Sequence, residues 1–193
     1  MAGPLTREQI LDTTEQVLRR FGLEKTSVVD VARAIGVSHG TLYRHFPSKA
    51  ALKEAVAERW LHEVSAPLAA IIQKDGSSLE KTRMWVEKLI DIKQSKASED
   101  PELFAMYNAL AEESVESIGK HINELISQLT KIVEQGIQTG EFQKGEARQQ
   151  ASAIFYATAR FHHPALAKEW ETPSIKNEFE QVWNLLESGL VKK

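Results

Sequence analysis

Apolar residues in this 193-residue chain recur every three or four positions almost from end to end, and helix-capping residues punctuate the recurrence. That spacing gathers apolar side chains on one face of a helix, whereas a half-buried strand would need strict alternation. The expected fold class is therefore all-α. Thr6-Arg7-Glu8-Gln9 reads as a capping box, with Leu5 and Ile10 as a hydrophobic staple. Ile10, Val17, Leu18 and Phe21 share one face of that first helix, and Gly22 stops it. A second, short helix opens at Ser27, buries Val28, Val31, Ala32 and Ile35, and ends at Gly36. A third opens at Ser38, buries Leu42 and Phe46, and is stopped by Pro47.

Longer helices follow. One begins at Ser48 and carries Leu52, Ala55, Val56 and Trp60; Pro67 is expected to kink or end it, which puts a boundary near residues 62–67. Ser77 and Glu80 cap the next, Ser95 to Asp100 reads as a polar loop, and Pro101 stands at a first helical position. Val115 to Thr139 reads as one long helix, Glu146 to about His162 as another, and Thr172-Pro173 opens the last. The expected organisation is a domain of residues 1–47, a connecting helix over about 48–65, and a larger helical domain of residues 66–193.

Composition excludes several classes. The absence of cysteine removes disulfides, thiolate metal sites and cysteine nucleophiles. No apolar run approaches the roughly 18 residues of a membrane span, and Met1 to Glu8 carries no signal pattern, so the expectation is a cytoplasmic protein with no membrane partner. The net charge of −3 argues mildly against nucleic acid, but it is unevenly spread. Residues 1–60 hold nine Lys/Arg against seven Asp/Glu, a balance of +2, which leaves −5 on the rest.

The two short helices joined by Gly36-Val37-Ser38 have the proportions of a helix-turn-helix. Leu42 and Phe46 already fill the core face of the second, so His39, Thr41, Tyr43, Arg44 and His45 point outward. Gly40 keeps that face low enough to approach a groove about 12 Å wide. Hydroxyls, a lysine and helix N-terminal amides beside Thr26, Ser27 and Lys49 suit phosphate oxygens.

Thr26-Ser27-Val28-Val29-Asp30-Val31-Ala32, then Gly36-Val37-Ser38, then Gly40-Thr41-Leu42-Tyr43-Arg44-His45-Phe46-Pro47-Ser48-Lys49 strongly resembles the DNA-binding domain of the tetracycline-repressor (TetR) family. The match spans about residues 6–60. The resemblance implies an all-helical homodimeric repressor that binds double-stranded operator DNA and is released by a small-molecule effector. It carries phosphate contacts onto Thr26, Ser27, Thr41, Tyr43, His45 and Lys49, with Ser38 and Arg44 beside them. Base reading falls to Val29, against a thymine methyl, and to Arg33, His39 and Gly40. Many relatives have Arg or Lys at the positions of Val29 and His39, and a basic tail before the first helix; here the tail offers only Arg7.

In the larger domain, Trp85, Phe104, Tyr107, Phe155, Tyr156 and Arg160 are candidates for an effector pocket with an apolar lining and few polar anchors. Ordinary core packing is the alternative for each, and Glu112, Glu113 and Glu116 are potential partners for Arg160. Phe179, Val182, Trp183, Leu186 and Leu190 make an apolar stripe wide enough for a second buried face, as a symmetric dimer would supply. His162-His163, with His121 and Glu169, could suggest a metal, but adjacent helical side chains diverge by about 100°. No metal and no cofactor is expected. No nucleotide-binding glycine loop, zinc-protease motif or nucleophile elbow is present, so the chain is not expected to be an enzyme. The competing reading is a helical ligand sensor or interaction protein without specific DNA binding, which the short basic tail and net acidity favour.

Overall fold

The computed structural model describes residues 5–23 and 25–192. The reading of the N-terminus for a signal pattern therefore lies partly outside the described residues. Within them the fold is all-α, as expected. The helices are α1 (Arg7–Phe21), α2 (Val28–Ile35), α3 (His39–His45), α4 (Lys49–Ala69), α5 (Ser78–Glu99), α6 (Pro101–Glu112), α7 (Val115–Thr139), α8 (Ala147–Ala157), α9 (Ala159–His162) and α10 (Ile175–Leu190). Short 3-10 turns follow α4 at Ala70–Gln73 and α9 at Pro164–Glu171. An isolated antiparallel bridge joins Phe142 to Val191.

Four boundaries differ from the sequence reading. Pro67 lies inside α4 rather than ending it. Its missing N–H would have met the carbonyl of Glu63, and both residues are exposed, so water can serve that carbonyl. Residues 95–99 continue α5 instead of forming a loop. The expected helix from Glu146 to His162 is interrupted at Thr158, whose hydroxyl bonds back to the carbonyls of Ile154 and Phe155. The last helix begins at Ile175, two residues after Pro173.

The chain forms two compact units. The first runs to Leu61 and includes Glu102–Ile118; the second comprises His62–Pro101 and the chain from Gly119 onward. Their division falls within α4 and within α7, and α6 belongs to the first unit, so the units are drawn differently from the expected segments 1–47 and 66–193.

The first unit is built on the staggered apolar faces read from the sequence. Ile10 and Leu18 of α1, Val31 and Ala32 of α2, Leu42 of α3 and Phe46 after it are all buried. Arg59 of α4 ties this core to α1 through Asp12 at 2.6 Å and Glu15 at 2.7 Å. Trp60 is stacked on Tyr107 of α6 at 5.2 Å and meets Phe104 edge-on at 6.2 Å.

The second unit has its own core, in which Leu68, Trp85, Leu89, Leu129, Ile132 and Trp183 are fully enclosed. Two of the polar groups within it pair with each other and with the backbone: the Trp85 indole donates to Gln128 Oε1 at 3.0 Å, and Gln128 Nε2 donates to the Ser65 carbonyl at 3.1 Å. The N-terminus of α5 is held by its own capping box and by the Glu141 carboxylate, which accepts from the amides of Ser78 and Leu79.

Candidate nucleic-acid interface

The interface candidate is the outer side of α2 and α3, and its precision comes from local capping. Ser27 accepts from the Asp30 amide, and the Asp30 carboxylate returns to the Ser27 amide at 3.1 Å and its hydroxyl at 2.6 Å. These bonds hold the Asp30 carboxyl below its ordinary pKa, with the Arg33 guanidinium adding to the effect. Gly36 ends α2 with φ +79°, in the left-handed region, and its amide and that of Val37 close on the last turn. That reversal sets the direction of α3, whose cap Ser38 accepts from the Thr41 amide at 3.2 Å.

Capping fixes the helices, and the pattern of exposure decides what they present. Leu42 is buried, while Ser38, His39, Gly40, Tyr43 and Arg44 are exposed and Thr41 and His45 are partly so. Tyr43 stands 49% exposed, a large aromatic with no packing role to explain it. Among the described residues, the side chains of Tyr43, His39, His45 and Lys49 have no internal hydrogen bond; Lys49 acts only through the field it places on Asp30. Val29 is a further exposed apolar side chain, on α2. Ser48 caps the start of α4 beside Lys49, accepting from the Ala51 amide at 3.0 Å.

Other candidates are engaged internally. Thr26 is only 5% exposed, and both its hydroxyl and its amide donate to the Gly22 carbonyl. Ser27 is committed to the capping box. Arg33 is exposed and pairs with Asp30 at 3.4 Å, and Arg44 reaches the Thr41 hydroxyl at 3.3 Å. These surface pairs are easily exchanged for a phosphate oxygen, because an exposed ion pair is worth at most about 1 kcal/mol. The geometry thus offers donors of two kinds, some free and some loosely held, on one low face.

Two stretches of the chain match two family models: "Bacterial regulatory proteins, tetR family" over residues 10–56, and "Tetracyclin repressor-like, C-terminal domain" over residues 79–183. The chain belongs to the TetR family. It is a TetR-family transcriptional regulator, in a family of regulators rather than enzymes that bind DNA and small molecules, typically as dimers. Similarity extends along the whole chain to the nucleoid occlusion factor SlmA of Marinobacter nauticus, 24% identical over 97% of this chain and 96% of the relative. A 64-residue stretch is 38% identical to the transcriptional regulator TtgR of Pseudomonas putida, covering 33% of this chain and 30% of the relative. Among solved structures, FadR from Bacillus subtilis in complex with stearoyl-CoA superposes with a TM-score of 0.65 at 20% identity, covering 95% of this chain and 99% of that one. A Rhodococcus protein of unknown function superposes with a TM-score of 0.72 at 19% identity, covering 96% and 95%. At such identities the superpositions establish the fold.

The remaining site candidates of the TetR chain fall into separate groups. Phe104 and Tyr107 belong to the first unit, packed with Trp60. Trp85 and Phe155 are buried in the second unit's core, while Tyr156 and Arg160 lie on its surface. Arg160 pairs with Glu169 at 3.2 Å and Glu178 at 3.1 Å. Those partners come from the 3-10 turn and α10, which no spacing rule on α9 could indicate. Phe179, Trp183 and Leu190 are enclosed in the second unit's own core, so the wide stripe of α10 is used within the subunit. Val182 and Leu186 are only half-buried, and Leu185 is 76% exposed. His162 lies in the interior, its Nε2 3.2 Å from the Phe155 carbonyl; a carbonyl can only accept, so that nitrogen carries the proton. Among the described residues no helix is long and apolar enough to cross a membrane.

Proposed function

We propose that this TetR-family regulator is a homodimeric repressor that binds an inverted-repeat operator and is released by a small-molecule effector. The observation that carries the reading is the outward face of α3, where Tyr43, His39 and His45 hold unused hydrogen-bonding capacity on a helix cored on its other side. Each α3 enters a major groove, and the half-sites of the two protomers stand one or more turns of about 34–36 Å apart. Tyr43, Thr41, His45 and Lys49 hold phosphates, with Ser38, Arg44, Ser27 and the amide-rich start of α2 beside Thr26 assisting. Val29, Arg33, His39 and Gly40 meet base edges.

The dimer face in this reading is the outer side of α8 and α10. Leu185 lies on the side of α10 away from the enclosed Trp183, with the half-buried Val182 and Leu186 and the exposed Gly189 along its edge, and Tyr156 of α8 is another large exposed apolar group. The effector binds in the second unit, where Trp85 and Phe155 retain a lining role. It lowers operator affinity only by its differential affinity for two conformations.

Fluorescence anisotropy with DNA from the chain's own promoter tests the proposal. Saturable binding of two chains per site, lost on Tyr43→Ala, is expected. Binding that ignores sequence at moderate salt overturns it in favour of a sensor without specific DNA binding. A second reading, a DNA-binding protein acting away from promoters, is favoured by the full-length similarity to a nucleoid occlusion factor. A genome-wide binding map separates the two: a few promoter sites support the repressor, and many sites dispersed along the chromosome support the second.

A further inference from the structure

Among the described residues the second unit buries three basic side chains, and one of them has no hydrogen-bond partner. Lys93 of α5 is 5% exposed, His121 of α7 is 7% exposed, and His162 of α9 is 4% exposed. The packing of α5 against α7 explains why the first two meet. Lys81 reaches Gln135 at 3.0 Å, and Trp85 reaches Gln128 at 3.0 Å, so the helices run antiparallel in a fixed register. Two turns beyond Trp85 on α5 is Lys93, and two turns before Gln128 on α7 is His121. α9 joins them because Gln94, next to Lys93, donates to the carbonyl of Phe161, next to His162. Lys93 is near enough to act electrostatically on both histidines.

The His121 ring is what this arrangement leaves unexplained. Among the described residues, neither of its nitrogens has a hydrogen-bond partner. Buried polar groups are almost always paired, and an unpaired one costs about 1–3 kcal/mol, so an orphaned ring in a packed interior indicates an external partner. Burial, with Lys93 adding to it, pushes the imidazole down to about 3, so the ring is neutral and offers one donor and one acceptor. Lys93 is lowered to about 8 by burial and by Lys96, and remains mostly charged at neutral pH. Leu89 and Trp85 continue the buried face of α5 from Lys93, and Phe155 lies 5.0 Å from the His162 ring, so the surroundings are apolar.

We propose that Lys93 and His121, with His162 behind them, form the anchoring end of the effector site and bind the carboxylate of an organic acid whose remaining body is apolar. This proposal rests on the reading of the second unit as effector-binding and specifies the effector's chemical class. An ammonium and an imidazole supply charge-assisted donors to the two carboxylate oxygens, and the anion offsets the repulsion among the bases. A metal ion fits less well, since Lys93 contributes a positive charge and, among the described residues, no three His, Cys, Asp or Glu side chains are grouped.

The test uses the full chain without DNA. Straight-chain carboxylates from acetate to dodecanoate, and benzoate, are titrated beside their neutral amides, with ¹⁵N-histidine NMR of the His121 ring as the readout. At least one acid is expected to shift the ring-nitrogen resonances of His121 and to bind at least tenfold tighter than its amide. Lys93→Met should reduce that preference to less than twofold while leaving amide binding in place; the comparison of acid with amide in the unaltered protein needs no variant. The proposal is overturned if no acid moves the ring, if acid and amide bind equally, or if stoichiometric zinc moves the ring where no acid does. Release of operator DNA is measured separately. An acid that binds through Lys93 without releasing DNA overturns effector release and leaves the anion site standing. A neutral molecule that releases DNA, with no acid bound, overturns the anion site alone.

Discussion

The outer face of α3 and the interior cluster of Lys93, His121 and His162 both carry polar groups with unmet bonding capacity, and they differ in who bears the cost. On α3, water satisfies Tyr43, His39 and His45 in the free protein, so the face costs the fold nothing and acts only when a partner displaces that water. In the second unit no exchange with bulk water is available, and the His121 ring is paid for from folding stability. Exposed function is thus thermodynamically silent until tested by binding, whereas buried function leaves a signature in stability and its pH dependence.

Acid should produce the largest divergence between the two. Burial lowers His162 to about 4 and His121 to about 3, while an unfolded chain protonates both near 6.5. Between those limits the unfolded state binds more protons than the native state, so stability rises with pH and falls as pH drops below 6.5. Each histidine contributes a slope of up to about 1.4 kcal/mol per pH unit, which over two units removes roughly 5 kcal/mol. Urea melts at pH 6.5, 5.5 and 4.5 measure it. A flat profile would falsify the burial of these rings.

A somewhat smaller effect is expected on DNA binding. Removing two phosphate contacts at about 1.5–2 kcal/mol each, as Tyr43→Ala with Lys49→Ala does, should weaken operator affinity roughly 100- to 1,000-fold. The dependence on log salt should lose about one unit of slope for the lysine. The melting temperature should move little, because among the described residues neither side chain has an internal hydrogen bond and Lys49 reaches Asp30 only as the smallest of its charge effects. A fall in melting temperature would mean the α3 face also serves the fold, and the contrast with the interior cluster would collapse.

His121→Leu reverses the usual sign of a core substitution. Replacing an unpaired buried ring by an apolar side chain should raise stability by about 1–3 kcal/mol in urea at pH 7 and remove one histidine's share of the acid slope. Loss of stability would show that the ring is already satisfied in the free protein.

The sequence made the exposed region legible and left the buried one obscure, for a physical reason. Caps and stops are written locally: Ser27 with Asp30, Gly36, and Ser38 with Thr41 bond within three or four residues, so residue type and spacing predict them. Once Leu42 and Phe46 account for the core, the outer face of α3 follows by elimination. Pairings between distant helices are not local. The aromatic candidates Phe104, Tyr107, Trp85 and Phe155 are apolar and buried, as periodicity requires, but periodicity cannot say which of two units holds them. The same holds for α10, where a wide stripe fits a partner subunit or the subunit's own core, and Trp183 is enclosed in the latter. One signal for the buried bases was present. Lys93 continues the apolar row of Trp85 and Leu89 at four-residue steps, and His121 does so before Leu125 on α7. A charged residue on the row that should be buried indicates a site or a structural pairing, and only helix register tells which residues it meets.

Gly36 gives the smallest effect and the sharpest test of whether the α3 face is set by local geometry alone. Its φ of +79° places it in the region that L-residues adopt at a cost of about 1–2 kcal/mol, yet a Cβ there would touch nothing within 4 Å. Strain and contact are therefore separable: Gly36→Ala should destabilise the fold by about 1 kcal/mol through backbone strain alone, and Gly36→Asn by less, since asparagine tolerates the left-handed region better. Operator affinity should change by less than about threefold in Gly36→Asn, because α3 keeps its direction when the turn is kept. If affinity instead falls with stability intact, the turn has relaxed and re-aimed α3. The recognition face would then depend on the turn at Gly36 as well as on the side chains it carries.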